Sequence, residues 1–341
     1  MDRAGGSYSP WYGYNRLLFR CTGLEINFGR IRMTKQFTLL TITIILALSF
    51  FTAGCGGKTE GSEDGKPLVV ATTTIIADIA EEIAGDRVEV YCIMPIGGDP
   101  HIYQPVPGDA RMIARSDLVL LNGLQLEGWL NELARHAGGT RPMIKVAEGV
   151  NALEDEERHG EPDPHAWFDV RNMHIYVDNI VDGLVKIDPD GEEEFMQRAE
   201  TYKKELDELD SWVRAQIETL PEDRRILITS HDAFRYFGEA YGVKVLALQG
   251  ISTEAQPQTK DVIKLVQTVQ EHNIPAVFIE TSVNPRMLEQ IARDAGTRIG
   301  GELFSDSIGA PDHEGGSYLG MVRYNVRTFV QAMKEEPITK K

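Results

Sequence analysis

The sequence has 341 residues, of which 42% are hydrophobic and 26% charged, a composition typical of folded domains and sufficient for two hydrophobic cores. Its formal net charge is −17; because residues 1–54 contain six basic and two acidic side chains, a chain beginning at Cys55 would carry 29 Lys and Arg against 50 Asp and Glu, a net charge of −21. Such acidity argues against nucleic acid and anionic membrane surfaces as partners and attracts cations, although it also serves solubility.

The N-terminal residues have the pattern of a lipoprotein signal. No charged residue occurs in residues 37–53, and a basic stretch at residues 30–35 precedes them. This pattern, followed by the sequence Thr-Ala-Gly-Cys, predicts cleavage before Cys55 and lipidation of its thiol. Met33 is the expected first residue of the signal, and residues 1–32 are then expected not to be translated. An uncleaved membrane anchor is the alternative, although the apolar run is short for a span.

Cysteine usage is sparse. The three cysteines are Cys21, Cys55 and Cys92, and no C-x-x-C sequence is present. Once the signal is removed and Cys55 is lipidated, Cys92 is the remaining thiol, so the mature chain forms no internal disulfide. Because it lies within the apolar stretch VEVYCIM, Cys92 is expected to act as a small buried hydrophobic residue.

The first part of the mature chain alternates predicted strands and helices. The strands are expected at residues 67–74, 88–94, 117–122 and 142–149. The helices are expected at residues 75–85, 107–116, 127–136 and 172–186. An acidic loop covers residues 154–163. This alternation predicts a mostly parallel sheet covered by helices.

A long amphipathic helix is predicted next, at residues 192–220. Its apolar residues recur every three or four positions and so lie on one helical face: Phe195, Ala199, Tyr202, Leu206, Leu209, Val213, Ile217 and Leu220. Acidic residues at its start suit the helix dipole, and Pro221 ends it. We interpret this helix as a rigid connection between two lobes; the alternative is a surface helix of one larger domain.

The pattern of alternation is repeated after the long helix. Strands are expected at residues 225–230, 243–250, 275–281 and 297–304, and helices at residues 232–242, 257–272, 285–295 and 318–333. The sequence therefore predicts an α/β fold of two small sandwich lobes, with mostly parallel sheets, joined by one long helix. The predicted domains are the signal and preceding residues (1–54), a tether (55–66), an N-terminal lobe (67–190), the linking helix (191–221) and a C-terminal lobe (222–341).

Four polar residues follow predicted strands, where ligands bind in open α/β sheets. His101 comes after VEVYCIM and a Gly-Gly turn, His165 lies in the sequence DPHAWFD, His231 follows RILITS, and Asp306 follows GELF. Two come from each predicted lobe. Three imidazoles and a carboxylate can complete the coordination of a divalent transition metal, zinc being the reference case. For any one of these histidines alone, a hydrogen-bonding role in a loop would be a simpler explanation than metal ligation.

The remaining histidines are weaker candidates. His136, His174 and His272 fall within or at the ends of predicted helices, and we expect them on solvated faces. His159 lies among glutamates of the acidic loop, where it either gathers metal or is a plain surface residue. His313, in a Gly-rich turn after Asp306, has no assigned role.

The sequences around the four polar residues resemble the metal-site motifs of one family. GDPHIYQP (residues 98–105), DPHAWFD (163–169), TSHDAFRYF (229–237) and FSDS (304–307) look like those of the zinc/manganese solute-binding lipoproteins, the extracytoplasmic receptors of ABC-type metal importers. The resemblance covers the chain after the signal. It implies two α/β lobes joined by one long helix, with Zn²⁺ or Mn²⁺ as cargo in the cleft between them.

Carried over by motif, the implied metal ligands are His101, His165, His231 and Asp306. The implied partners are an ABC permease with its cytoplasmic ATPase, and the membrane is contacted through the lipid anchor only. A monomer at the outer face of the cytoplasmic membrane, or in the periplasm, is expected. Many zinc-dedicated members carry a long histidine-rich acidic loop, whereas this chain has a short loop with His159 alone, which weakens the expectation of strict zinc specificity.

Two other functions compete with metal capture. A surface adhesin would fit the lipid anchor. A zinc hydrolase would fit the histidines, but a catalytic zinc keeps an open position for water. Four protein ligands close that position, and no H-E-x-x-H sequence occurs, so we expect the protein not to be an enzyme.

Overall fold

The computed structural model describes residues 65–155 and 160–337, which belong to one compact unit. The predicted signal, the lipidation site Cys55, most of the tether and His159 lie outside the described residues. Among the residues that are described, no helix has the length and apolarity needed to cross a membrane.

The N-terminal half contains a four-stranded parallel sheet. Its strands, in the spatial order β2-β1-β3-β4, are β1 (Leu68–Ala71), β2 (Glu89–Cys92), β3 (Leu118–Leu121) and β4 (Met143–Lys145). The helices of this half are α1 (Thr74–Ala84), α2 (Pro107–Arg115), α3 (Leu130–Ala137) and α4 (Met173–Ile187). The central strands β1 and β3 are almost wholly apolar, as expected of strands that helices cover on both faces.

The predicted long helix is confirmed as α5 (Glu192–Glu218). Its buried residues are those of the predicted stripe, Phe195, Ala199, Tyr202, Leu206, Leu209, Val213 and Ile217. This face packs against α1 and α4 of the N-terminal half and also against the last helix of the chain. One helix therefore shares its apolar face between the two halves. The predicted domain boundaries around it stay a prediction.

The C-terminal half contains two parallel strand pairs. Its strands are β7 (Ile226–Thr229), β8 (Lys244–Ala247), β9 (Ala276–Glu280) and β10 (Arg298–Leu303). β7 pairs with β8, β9 pairs with β10, and β7 lies beside β9, so the order resembles that of the first sheet. The helices are α6 (Arg235–Tyr241), α7 (Thr259–Glu271), α8 (Arg286–Ala295) and α9 (Tyr318–Lys334). The predicted α/β class with mostly parallel sheets is confirmed.

Three local features differ from prediction. The helix expected from Glu127 begins at Leu130, because the buried Glu127 carboxylate instead accepts hydrogen bonds from Thr72 Oγ1 and from the backbone N–H groups of Asn122 and Gly123. The helix expected from residue 232 begins at Arg235. The acidic loop contains a short antiparallel pair, β5 (Glu154–Asp155) and β6 (Glu161–Pro162).

Candidate metal centre

The four residues chosen from strand ends converge on one point between the two halves. His101 follows β2, His165 follows β6, His231 follows β7 and Asp306 follows β10. Each offers one ligand atom, and these four atoms lie within 4.8 Å of one another. Parallel strands of each half end toward the interface, which is why loops distant in sequence meet there.

The separations suit a small cation. His101 Nε2 lies 3.2 Å from His165 Nε2, and His231 Nε2 lies 3.4 Å from His165 Nε2. Asp306 oxygens lie 3.4 Å from His165 Nε2, 3.5 Å from His231 Nε2 and 3.9 Å from His101 Nε2. An ion with tetrahedral bonds of about 2.0–2.1 Å separates its ligand atoms by about 3.3–3.4 Å. Of these five separations, which involve Oδ1 of Asp306 for His165 and His101 and Oδ2 for His231, all but the one of 3.9 Å lie close to that value.

One oxygen of Asp306 points to where a cation would sit. Its Oδ2 accepts hydrogen bonds from Ser282 Oγ at 2.9 Å and from Ser305 Oγ at 3.1 Å. Its Oδ1 is buried and has no hydrogen-bond partner among the described residues. A buried carboxylate oxygen without such a partner is costly unless another positive group compensates it. This oxygen is the one nearest to Nε2 of His165 and His101.

His165 is held by a carboxylate on its far side. Its backbone N–H donates to Asp163 Oδ1 at 3.0 Å, and its Nδ1 lies 2.8 Å from the same oxygen. This contact turns Nε2 toward the cluster, an arrangement that orients metal-bound histidines in proteins. Burial alone would lower the pKa of His165, but the hydrogen bond to Asp163 and the negative charges of Asp163 and Asp306 outweigh burial and raise the pKa to about 9.

His231 has a similar partner in Glu280, the last residue of β9. The backbone N–H of His231 donates to Glu280 Oε1 at 2.8 Å. Nδ1 of His231 lies 2.6 Å from Glu280 Oε2. This distance suits a hydrogen bond, but the angle between the two groups does not. Burial would lower the pKa of His231, but the charges of Glu280 and Asp306 raise that pKa well above its ordinary value.

The carboxylate of the cluster shifts in the opposite direction. Burial would raise the pKa of Asp306, but the charges of the neighbouring His231 and His165 rings hold it well below its usual range. Asp306 therefore stays ionised over the physiological range, and His165 and His231 bind protons more strongly than ordinary histidines when no cation is bound. A divalent ion that enters the cluster displaces the protons on the imidazoles, and its positive charge is stabilised by the same carboxylates, Asp163, Glu280 and Asp306.

His101 reaches the cluster from a segment without helix or strand. Its backbone N–H donates to Asp99 Oδ1 at 2.9 Å. The turn before it uses Gly97 at φ +73°, a conformation that favours glycine. The backbone N–H of Gly97 donates to Ser307 Oγ at 2.8 Å, which ties this segment to the residue next to Asp306.

The other predicted candidates lie elsewhere in the described structure. His136 and His272 are exposed, and His174 is partly exposed with Nε2 3.0 Å from Asp207 Oδ1. His313 Nδ1 accepts a hydrogen bond from the backbone of Gly315, and its ring lies against Phe304 and Tyr324. Cys92 is half-buried, and its thiol donates to the backbone oxygen of Met94.

Sequence reasoning missed the carboxylates behind the histidines. Asp163 and Glu280 are 0% and 1% exposed, although acidic residues are rarely buried without a partner. The signal for Glu280 was an acidic residue ending a buried apolar strand. The signal for Asp163 was its place two residues before His165, within reach of both the backbone and the ring.

Comparisons with known proteins match the chain over most of its length. Residues 69–332 match the model of the family described as zinc-uptake complex component A, periplasmic. The chain is 38% identical to the manganese-binding lipoprotein MntA of Halalkalibacterium halodurans, over 86% of this chain and 97% of that protein. It is 40% identical to the zinc-binding protein TroA of Treponema pallidum, over 84% of this chain and 94% of that protein.

The fold matches as well. The solved structure of the periplasmic zinc-binding protein TroA from Treponema pallidum superimposes with a TM-score of 0.77 at 39% identity, covering 80% of this chain and 100% of that one. Family model, relatives and fold agree with the resemblance inferred from the four motifs. The chain belongs to the zinc-uptake complex component A family of periplasmic proteins.

Proposed function

We propose that this protein captures one divalent transition-metal ion between its two halves and delivers it to an ABC import permease. The proposed ligands are Nε2 of His101, His165 and His231 together with Asp306. The observation that carries the proposal is the buried Asp306 Oδ1, which has no hydrogen-bond partner among the described residues and faces histidine nitrogens at distances suited to a small cation.

The donor set favours zinc over manganese. Three imidazole nitrogens and one carboxylate suit Zn²⁺, and nitrogen ligands bind Zn²⁺ more tightly than Mn²⁺ in the Irving–Williams order. MntA of Halalkalibacterium halodurans is named for manganese and TroA of Treponema pallidum for zinc, so either ion can be the cargo in the cell. Four protein ligands also leave no position for the bound water that a catalytic zinc requires, which supports capture rather than hydrolysis.

The same proposal covers location and partners. Relatives are named as lipoproteins, and the sequence before Cys55 has the pattern of a lipoprotein signal. We propose that the mature chain begins at Cys55, is held at the outer face of the cytoplasmic membrane by a lipid on that thiol, and acts as a monomer. Lipid labelling that persists after Cys55→Ser would contradict this anchor.

Calorimetric titration with Zn²⁺ tests the function directly. Wild-type protein should bind one ion, and His165→Ala should lose most of the affinity, since it removes the ligand nearest to the other three. His272→Ala, which removes an exposed histidine at the end of α7, is the matched control and should bind as wild type does. Circular dichroism of metal-free His165→Ala checks that the variant is folded. Unchanged binding by folded His165→Ala would contradict the proposed site.

A further inference from the structure

His101 is held differently from the other three residues of the cluster. Asp163 orients His165, Glu280 faces His231, and Ser282 bonds Asp306, all within buried surroundings. His101 instead lies in residues 93–106, here named the His101 segment, which contain neither helix nor strand. Its side chain is 5% exposed, whereas those of the other three are fully enclosed.

The His101 segment lies beside two cavities. His101 itself borders a cavity of about 310 Å³, which Gln125, Glu161 and Glu254 also line. Asp99 and Thr253 line a larger cavity of about 550 Å³. Of the four proposed ligands, His101 is therefore the least enclosed and the one that borders a cavity.

Asp99 connects His101 to the opposite half of the molecule. One oxygen, Oδ1, accepts the backbone N–H of His101 at 2.9 Å. The other, Oδ2, accepts the hydroxyl of Thr253 at 2.6 Å. Thr253 lies in the loop between β8 and α7, so a single carboxylate joins the backbone of one proposed ligand to the far side of the cleft. The Gly97–Ser307 hydrogen bond is a second connection, at the base of the segment.

The two ends of the segment are fixed in the core, but its middle is not. Ile93 and Met94 are 5% and 2% exposed, and the ring of Tyr103 packs against Trp129. Trp129 Nε1 donates to the backbone oxygen of Pro100 at 3.0 Å, within the same half. Ile96, Ile102 and Val106 are 51%, 53% and 54% exposed. Outward movement of the segment therefore uncovers little apolar surface from these side chains. Between these anchored ends, the polar contacts across the cleft are what resists outward movement of His101.

We propose that the Asp99–Thr253 hydrogen bond is a latch that keeps the His101 segment closed over the bound metal, with Asp99 acting as a positioning residue for His101. This inference rests on the proposed function, because what the latch controls is release of the captured ion. When the latch is broken, the His101 segment separates from the opposite half more often. The ion then dissociates past His101, while the other three ligands stay where they are.

Thr253→Val tests the latch, because it keeps the side-chain shape, removes the hydroxyl and leaves the Asp99–His101 contact intact. The rate of Zn²⁺ release from the loaded full chain is measured by rapid mixing with excess chelator. A hydrogen bond to a charged group is a strong one, so the release rate should rise about tenfold to hundredfold. Thr253→Ser restores the hydroxyl and should release at nearly the wild-type rate.

Ser252→Ala is the matched control. Ser252 is adjacent to Thr253, and its Oγ accepts a hydrogen bond from the backbone of Glu254 within the same loop. Its removal should leave the release rate unchanged. Amide exchange in residues 93–106 of the loaded Thr253→Val variant should be faster, whereas exchange in the rest of the chain should change much less. A merely structural role for Thr253 would lower the melting temperature without selectively accelerating exchange in residues 93–106.

The outcomes separate the latch from the function on which it rests. If wild type binds Zn²⁺ but Thr253→Val releases it at the wild-type rate, with unchanged exchange in residues 93–106, the latch is overturned and the proposed function stands. If wild type takes up no metal, both are overturned. Faster release in Thr253→Val, reversed in Thr253→Ser and not seen in Ser252→Ala, supports the latch.

Discussion

Metal affinity should depend on pH over an unusually wide range, because the proposed ligands compete with strongly bound protons. An imidazole binds metal only after losing its proton. Burial would favour the neutral ring, but Asp163 and Asp306 raise the pKa of His165 to about 9, and Glu280 and Asp306 raise the pKa of His231 in the same direction. His165 is therefore largely protonated at pH 7.5 in the metal-free site, and His231 holds its proton more strongly than an ordinary histidine. Asp306, whose pKa is lowered, stays ionised and contributes no such competition.

The sign and size of the effect follow from these directions. Each proton that must leave reduces the affinity about tenfold for every pH unit below its pKa. From pH 7.5 to pH 5.5, the proton on His165 lowers the affinity by about 10², and the proton on His231 lowers it further. Histidines with an ordinary pKa of about 6.5 would give a smaller loss and an affinity that levels off above about pH 7. The raised pKa values predict instead that affinity keeps rising, about tenfold or more, between pH 7.5 and 8.5.

Chelator competition titrations at pH 5.5, 6.5, 7.5 and 8.5 measure this dependence, with the chelator's own protonation taken into account. Calorimetry in buffers of different ionisation enthalpy counts the protons released on binding. An affinity that is flat across the range would refute histidine ligation. A plateau above pH 7 would refute the argument that Asp163 and Glu280 raise the proton affinity of the rings.

Two further predictions concern selectivity and motion. Wild-type protein should bind Zn²⁺ more tightly than Mn²⁺ in competitive calorimetry. His231→Glu should shift the ratio of Zn²⁺ to Mn²⁺ affinity toward Mn²⁺, because it replaces a nitrogen ligand by a carboxylate. An unchanged affinity ratio would contradict the role of His231 in selectivity. The radius of gyration from solution scattering should change little between metal-free and loaded protein, because α5 contains neither Gly nor Pro and bends only gently. A large change on loading would refute the rigid connection.

Much of the fold was predictable because its signals are local. The apolar stripe of α5 gives the same buried residues from periodicity as from the structure, from Phe195 to Ile217. Placement after predicted strands selected His101, His231 and Asp306, since parallel strands bring their carboxyl ends to one edge. His165 was chosen from the loop sequence DPHAWFD and in the structure follows the short antiparallel β6. Each of these inferences needs only a few neighbouring residues.

The features that sequence reasoning missed depend on contacts between distant residues. Glu280 faces His231, 49 positions away, and Asp99 meets Thr253, 154 positions away. Neither pairing follows from periodicity or spacing. The late start of α3 has a similar cause. The Glu127 carboxylate accepts a hydrogen bond from the hydroxyl of Thr72, which follows β1 and lies 55 positions away in the sequence. Helix propensity at that position yields to tertiary hydrogen bonding.

X-ray absorption spectroscopy of Zn²⁺-loaded protein tests the ligand set most directly. The structure predicts three imidazole nitrogens and carboxylate oxygen bonded to the metal at about 2.0–2.2 Å, with one nitrogen fewer in His165→Ala and the wild-type spectrum in His272→Ala. A spectrum with fewer than two imidazoles, or one that is unchanged in His165→Ala, would contradict the account of the metal centre.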